Sequence, residues 1–310
     1  MKQILLLTLL ALGYQSASAQ LVTESFGSGA NQFTMEFVTI GNPNNAADTT
    51  GSPNPAGSVA YTYNLGKYEV SRGQIDKANA AGSLGIRYSS ASSTVDKPGT
   101  AISWYEAARY VNWLNTSTGG TAAYKFDGSG TFQLWSAGDA GYNANNLFRN
   151  SLAKYWLPSS NEWYKGAYGS PNGTWYNYPT GTDSAPTAVA GGTAANTAVY
   201  GGQAGPADIT NAGGLSAYAT MGQGGNVWEW METAFDGTND TADESRELRG
   251  ASWNSSTNFM VASYRNNLDP TNESIMNGFR VASVPEPSTG LLVLLGLSGL
   301  LLKRRKTGTL

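Results

Sequence analysis

The hexapeptide Gly225-Asn226-Val227-Trp228-Glu229-Trp230 is the most informative segment of this 310-residue chain for its fold. Successive side chains of a β-strand point to opposite faces, so the two indoles share one face and the Glu229 carboxylate lies on the other. One interpretation places both tryptophans in the core and makes Glu229 an internal salt-bridge partner. The other is a calcium site, in which the Glu229 carboxylate and the carbonyls of Gly225 and Val227 supply hard oxygen ligands.

Three helix starts precede this segment. The stretch 71–74 opens a short helix, and Ser103–Glu106 and Ser159–Glu162 are capping boxes, in which a serine and a glutamate satisfy free backbone donors reciprocally. Behind the second start, apolar residues recur at helical spacing from Trp104 to Leu114. That periodicity predicts a longer amphipathic helix.

Short strands fill much of the rest of the chain. The predicted strands cover 33–40, 60–70, 226–231, 247–253 and 278–283. Two stretches rich in Gly, Ala, Pro, Asn and Thr, 42–57 and 185–214, predict long surface loops. Helices placed early and strands placed late indicate an α+β fold with long irregular connections, because a parallel sheet would need alternating βαβ units.

Five segments, taken in order, resemble the formylglycine-generating enzyme, or sulfatase-modifying factor, family. The matching segments are Tyr68-Glu69-Val70-Ser71 with Gln74, then 98–114, then Trp156-Leu157-Pro158-Ser159 with Glu162-Trp163, then the opening hexapeptide, then Leu248-Arg249-Gly250-Ala251-Ser252-Trp253 with Arg265 and Gly278-Phe279-Arg280. The hexapeptide is the family's most recognisable motif. The resemblance implies a duplicated, C-type-lectin-like, loop-rich α+β fold.

The resemblance also implies bound calcium in some members. A family calcium site often includes an Asp or Asn three positions before the first Gly of the hexapeptide, and this chain has Gly222 there. Asn196 and Asp208 fall where a second family site would lie. Because a buried guanidinium needs several acceptors, we expect structural roles for the arginines of the closing strands, Arg249, Arg265 and Arg280.

The chain contains no cysteine and no histidine. The family oxidase uses two cysteines that bind copper(I), and Ser255 and Met260 stand near their positions here. Related sulfoxide synthases hold iron with histidines. Copper and iron both depend on thiolate or imidazole ligands in these sites, so we expect neither metal and no catalytic residue. A Ser-His-Asp triad is excluded for the same reason.

The sequence therefore predicts an exported binding module for a polysaccharide, a peptide or a surface protein. The alternative is a formylglycine-generating-type enzyme with atypical chemistry. The aromatic loop with Trp175, Tyr176 and Tyr178 is the candidate ligand-binding surface, since exposed aromatic side chains commonly serve recognition. Packing within the core or between loops is the other use for these rings.

Both ends carry processing signals, which leaves 20–284 as the folded domain. Residues 1–19 have a basic residue, an apolar run and an Ala-Ser-Ala cleavage site, the order typical of a secretory signal peptide. Residues 285–310 begin with Pro285-Glu286-Pro287, continue with an apolar helix and end in a basic cluster. They resemble the PEP-CTERM sorting signal.

The sorting signal implies recognition by an exosortase of a Gram-negative bacterium. It also implies transient membrane anchoring and delivery to the cell surface or extracellular matrix. The chain has a net charge of −3, and its basic cluster, 303–306, lies wholly in the tail. Nucleic-acid binding needs a basic footprint, so no nucleic-acid partner is expected.

Overall fold

The computed structural model describes residues 20–285. The signal peptide predicted at 1–19 lies outside the described residues, as do Glu286, Pro287 and the predicted apolar tail helix. Within 20–285, no helix is both long enough and apolar enough to cross a bilayer.

Within residues 20–285, thirteen short strands form two main sheets and two small ribbons. The strands are β1 Leu21–Phe26, β2 Phe33–Ile40, β3 Tyr63–Gly66, β4 Lys125–Phe126, β5 Phe132–Gln133, β6 Tyr155–Trp156, β7 Thr187–Ala188, β8 Thr197–Ala198, β9 Trp228–Ala234, β10 Arg246–Arg249, β11 Asn266–Leu268, β12 Asn277–Gly278 and β13 Ala282–Ser283. The larger sheet has the order β1-β2-β3-β13-β6, so the end of the domain pairs with its beginning. The second sheet has the order β11-β10-β9-β12.

All three predicted helices are present. They are α1 Arg72–Gly82, α2 Trp104–Ser117 and α3 Ser160–Tyr168, and two 3₁₀ turns cover Gly29–Asn31 and Thr257–Phe259. Each helix begins with a complete capping box. The helix starts are therefore fixed by local chemistry, because the serine and the Gln or Glu satisfy free backbone donors on the spot.

The helix α2 forms the centre of the core. Its apolar face, including Trp104, Val111 and Leu114, is fully buried. The Trp104 ring packs edge-on against Tyr124 and Phe132 with centroids 5.2 and 5.1 Å apart. Edge-to-face contacts of this kind add to the stabilisation from burial alone.

The strand that carries the hexapeptide occupies an inner position. β9 pairs antiparallel with β10 and parallel with β12, so that Glu229 lies beside Arg249 on one side and Gly278 on the other. This register brings acidic and basic residues from distant parts of the chain together in a buried layer. The charged side chains in this layer need specific partners, because an isolated buried charge is costly.

The strand predictions are confirmed in position and corrected in extent. Phe33–Ile40 has the predicted bounds, whereas 60–70 contains a strand only at 63–66 and 278–283 is divided between β12 and β13. β1 was not predicted. The order of helices early and strands late is wrong at the N-terminus, because β1 to β3 precede α1.

Candidate functional site

Glu229 forms the centre of a buried ion pair. Arg280 donates from Nε to Glu229 Oε2 and from Nη2 to Glu229 Oε1, each at 2.6 Å, and both side chains are fully buried. Trp163 Nε1 donates to the same carboxylate at 2.7 Å. The remaining Arg280 protons go to the carbonyls of Gly66 at 2.8 Å, Met221 at 2.9 Å and Lys67 at 3.3 Å. The first interpretation of the hexapeptide, an internal salt-bridge partner, describes this geometry.

The calcium interpretation finds no free carboxylate at this position. Glu229 Oε1 accepts from the Arg280 guanidinium, Oε2 accepts from that guanidinium and from the Trp163 indole, and Val227 is buried in an apolar cluster. Residues 20–285 contain no group of three or more acidic side chains that could hold a metal ion. As arranged, these groups do not fit calcium, because an ion would have to displace Arg280. Calcium binding stays a prediction.

Glu69 lies beside this ion pair and is itself buried. Asn226 Nδ2 donates to Glu69 Oε1 at 2.9 Å, and Glu69 Oε2 has no hydrogen-bond partner among residues 20–285. Burial, and after it the negative charge of Glu229, raise the Glu69 pKa to about 8 although Arg280 opposes the shift. We call Glu69 and Glu229 with Arg280 the first acid pair.

The glycine at position 222 is what makes room for Glu69. A Cβ atom at Gly222 would stand 2.7 Å from Glu69 Oε2, and the backbone there has a φ of +77°. The usual acidic or amide ligand of the family is therefore sterically incompatible with this placement of Glu69. The lack of an Asp or Asn at position 222, noted in the sequence, therefore has a local structural cause.

A second acid pair, Glu162 and Glu232 with Arg149, lies nearby. Arg149 approaches Glu162 at 3.7 Å and Glu232 at 3.5 Å, and its guanidinium stacks on the Trp156 ring with a 4.6 Å centroid distance. Both carboxylates are fully buried. Burial raises the Glu232 pKa, and Arg149 opposes that shift.

Neutral donors complete the second acid pair. Glu162 accepts from Tyr61 at 2.7 Å and from the Trp156 indole at 3.0 Å. Glu232 accepts from Tyr124 at 2.9 Å and from Asn146 Nδ2 at 2.5 Å. These carboxylates therefore depend less on their arginine than Glu229 does on Arg280.

A third group combines one carboxylate with two arginines. Glu247 accepts from Arg249 Nε, from Ser160 Oγ at 2.9 Å and from Arg265 Nη2 at 2.7 Å. Arg249 also donates to the carbonyls of Ser52 and Tyr264. The expected structural role of the three arginines agrees with these contacts.

The segment where the resemblance implies reactive residues carries no thiol. Ser255 Oγ lies 3.0 Å from Ser252 Oγ and accepts from the Ser252 backbone N–H at 3.0 Å. Met260 is fully buried in the main core. The 3₁₀ turn Thr257–Phe259 separates the two residues.

The aromatic loop is partly absorbed into the core. Trp175 is half-buried against Tyr164 with centroids 5.5 Å apart, and Tyr178 packs against the main core. The Tyr176 backbone N–H donates to the carbonyl of Tyr168 at 2.8 Å. The packing use foreseen for these rings is therefore present at Trp175 and Tyr178, and ligand binding by this loop stays a prediction.

The two residues of the second predicted calcium site have different surroundings. Asn196 Oδ1 accepts from Thr180 at 3.0 Å, whereas Asp208 Oδ1 accepts from Thr94 at 3.4 Å. Asp208 lines an open groove of about 570 Å³ that Asn196 does not line. No hydrogen bond joins the two residues in the described part of the chain.

A polar cleft of about 300 Å³ lies between the start of α3 and the end of β9. Its lining includes Asn145, Asn146, Asn161, Asp236 and Asn239, with Glu232, Glu247 and Arg265. We call it the amide cleft. This cleft was not predicted from the sequence, because its walls come from six separated parts of the chain: Pro53, 145–146, 159–161, 232–239, Glu247 and Arg265. The one available signal was the frequency of asparagine in 143–146 and at 161 and 239.

Comparison with known proteins assigns the family. Residues 29–284 match the model described as a sulfatase-modifying factor enzyme 1-like domain, and residues 283–306 match a PEP-CTERM protein-sorting motif. No curated protein matches the chain. The sorting motif indicates an exported protein that is processed by an exosortase.

Solved structures share the fold at low sequence identity. Treponema denticola variable protein 1 aligns with a TM-score of 0.58 and 20% identity over 85% of this chain and 99% of its own. The structure of CarF aligns with a TM-score of 0.56 and 16% identity over 86% of this chain and 99% of its own. PvdO from Pseudomonas aeruginosa aligns with a TM-score of 0.50 and 15% identity over 84% of this chain and 98% of its own. With its motifs, its fold and a family match across most of its length, the chain belongs to the sulfatase-modifying factor enzyme 1-like domain family.

Proposed function

We propose that this protein is an exported, non-catalytic binding module built on the sulfatase-modifying factor scaffold. The observation that carries the proposal is the replacement of the family's two thiols by Ser255 and Met260. A serine hydroxyl is not ionised at neutral pH, and a thioether is a weak ligand. Neither side chain gives copper(I) the soft thiolate pair that the family chemistry needs.

The surroundings of these two residues support the same proposal. Ser255 is engaged by Ser252 at 3.0 Å, and the Met260 side chain is committed to core packing. The scaffold motifs around them keep their buried contacts. A maintained fold with inert side chains at its former reaction centre suits recognition of a partner.

The sorting motif gives this module a destination. Export followed by exosortase processing suits a protein of the cell surface or extracellular matrix that is membrane-anchored until the tail is removed. The ligand is then a polysaccharide, a peptide or another surface protein. The net negative charge fits these partners better than nucleic acid.

A binding screen tests the proposal. We expect the purified protein to retain members of a panel of polysaccharides, peptides and surface proteins, and retention to fall in W175A/Y176A if the aromatic loop carries the contact. Retention of no member of this panel by a folded protein would overturn a binding function. The melting temperature of each variant is the control for folding.

A further inference from the structure

The amide cleft is a preformed cavity. Asn239 Oδ1 accepts from the Ala234 N–H at 2.9 Å, and Asn239 Nδ2 donates to Asn146 Oδ1 at 2.9 Å. Asn146 Nδ2 in turn donates a hydrogen bond to Glu232 Oε1. On the opposite wall, the Ser160 N–H donates to Thr233 Oγ1 at 2.9 Å. Because the walls are bonded to one another, the cavity needs no ordering before it binds.

Three polar side chains at the cleft are available to a ligand. Asn145, Asn161 and Asp236 are exposed. Asn161 uses Oδ1 to accept from the Gly57 N–H at 2.8 Å, and its Nδ2 makes no hydrogen bond within residues 20–285. The Asn145 side chain makes none there either. Asp236 uses Oδ1 to accept from the Thr238 N–H at 2.9 Å.

The charges around the cleft exclude anionic ligands. The two buried carboxylates of the lining already face guanidinium groups: Glu232 shares Arg149 with Glu162, and Glu247 is paired with Arg249 and Arg265. Asp236 is the one lining carboxylate without an ion-pair partner in the described part of the chain. The cleft therefore presents a surplus negative charge to an incoming ligand.

The lining also excludes apolar ligands. Amides, hydroxyls and carboxylates dominate it, and no aromatic side chain contributes. Such a surface matches a molecule that offers many hydroxyl donors and acceptors. The volume of about 300 Å³ lies at the lower end of small-molecule sites, which suits one or two sugar rings.

From these observations we infer that the amide cleft binds a neutral saccharide, with Asn161 Nδ2, the Asn145 carboxamide and Asp236 as its contacts. This inference rests on the proposed binding function and names the ligand class and the surface. It assigns recognition to the cleft and leaves Trp175 and its neighbours to packing.

Titration calorimetry with defined oligosaccharides tests the inference. The probes are neutral gluco-, manno-, galacto- and N-acetylglucosamine oligomers, with oligogalacturonate as the acidic comparison. We expect one neutral series to bind and oligogalacturonate to bind at least tenfold more weakly. Asn161→Asp keeps the acceptor for Gly57 and removes the free donor, so binding of the neutral series should weaken about tenfold.

Matched variants separate the possible outcomes. Asn258→Asp makes the same change at an exposed asparagine outside the cleft, and we expect it to leave affinity unchanged. Loss of affinity in W175A with none in N161D would overturn the cleft and leave the binding module standing. Binding of no neutral series, or tighter binding of oligogalacturonate, would also overturn the cleft, while peptide or protein ligands would still satisfy the proposed function.

Discussion

Glu69 and Glu229 share Arg280 much as Glu162 and Glu232 share Arg149, yet the two arginines divide their protons differently. Arg280 gives both of its short contacts, at 2.6 Å, to Glu229. Arg149 lies 3.5 Å or more from each of its carboxylates. The first arrangement leaves one acid fully paired and the other nearly alone, whereas the second spreads the charge over several neutral donors.

The comparison shows how a buried carboxylate is made tolerable in two ways. Close ion pairing satisfies Glu229 and leaves Glu69 with one hydrogen bond and a pKa raised to about 8 by burial. Tyrosine, tryptophan and asparagine donors satisfy the second pair with the arginine at longer range. A site of the first kind is sensitive to loss of its one cation, whereas a site of the second kind keeps several neutral donors when its cation is lost.

Removal of the arginines should give the largest difference. Arg280→Met leaves a buried, unpaired Glu229, which costs about 3–5 kcal/mol of the free energy of unfolding. Arg149→Met leaves each acid with its neutral donors and costs about 1–2 kcal/mol. Urea unfolding of both variants measures the two values. Equal losses would break the distinction between the pairs.

The pH dependence of stability should come from the first pair. The Glu69 carboxyl ionises near its ordinary pKa of 4.5 when unfolded and near 8 when folded. Between these pH values the folded state binds a proton on Glu69 that the unfolded state has lost. The contribution of Glu69 to the free energy of unfolding is therefore fully present below pH 4.5 and falls as the pH rises towards 8. Glu69→Gln should remove this decline, measured by unfolding across the pH range.

The control for that series is Glu36→Gln, which changes a glutamate whose side chain is 37% exposed. It should keep the decline of the wild-type protein. An unchanged slope in Glu69→Gln would show that another group binds the proton.

Single neutral donors of the second pair should have moderate effects. Tyr124→Phe removes one of the hydrogen bonds to Glu232, and Tyr61→Phe removes one to Glu162. Tyr61→Phe should lower the free energy of unfolding by about 1 kcal/mol, because a buried acceptor loses one of several donors. Tyr124→Phe should lower it by about 1–2 kcal/mol, because the Leu157 N–H, which donates to the Tyr124 hydroxyl at 2.9 Å, also loses its partner. A loss as large as that in Arg280→Met would contradict the redundancy of this pair.

Calcium should have the smallest effect on the wild-type protein. An ion at Glu229 has to displace Arg280, so we expect calcium to raise the melting temperature of Arg280→Gln more than that of the wild type. Thermal melts with calcium chloride and with EDTA measure the difference. A larger calcium effect on the wild type would mean that calcium binds with Arg280 in place.

Local chemistry accounts for what the sequence predicts well. The helix starts at Ser103 and Ser159 follow from residues three positions apart, and β2 follows from an apolar pattern within eight residues. The expected fold agrees with the family match and the structural neighbours. Its internal duplication stays a prediction.

Long-range pairing accounts for what the sequence does not predict. Glu229 meets Arg280 only because β12 lies parallel to β9, and Glu69 reaches the same place from the connection between β3 and α1. The amide cleft likewise joins segments that are about 210 residues apart at its extremes, from Pro53 to Arg265. A pattern within a short window carries no information on such contacts.

An oxidation assay is the most direct test of the proposal that this protein keeps the family scaffold and does not catalyse the family's oxidation. The purified protein is incubated with copper, oxygen and a cysteine-containing sulfatase peptide, and the peptide is followed by mass spectrometry beside an authentic family oxidase. We predict conversion of cysteine to formylglycine by the oxidase and an unchanged peptide mass with this protein. Conversion that copurifies with the protein, and is lost in Ser255→Ala, would contradict the account.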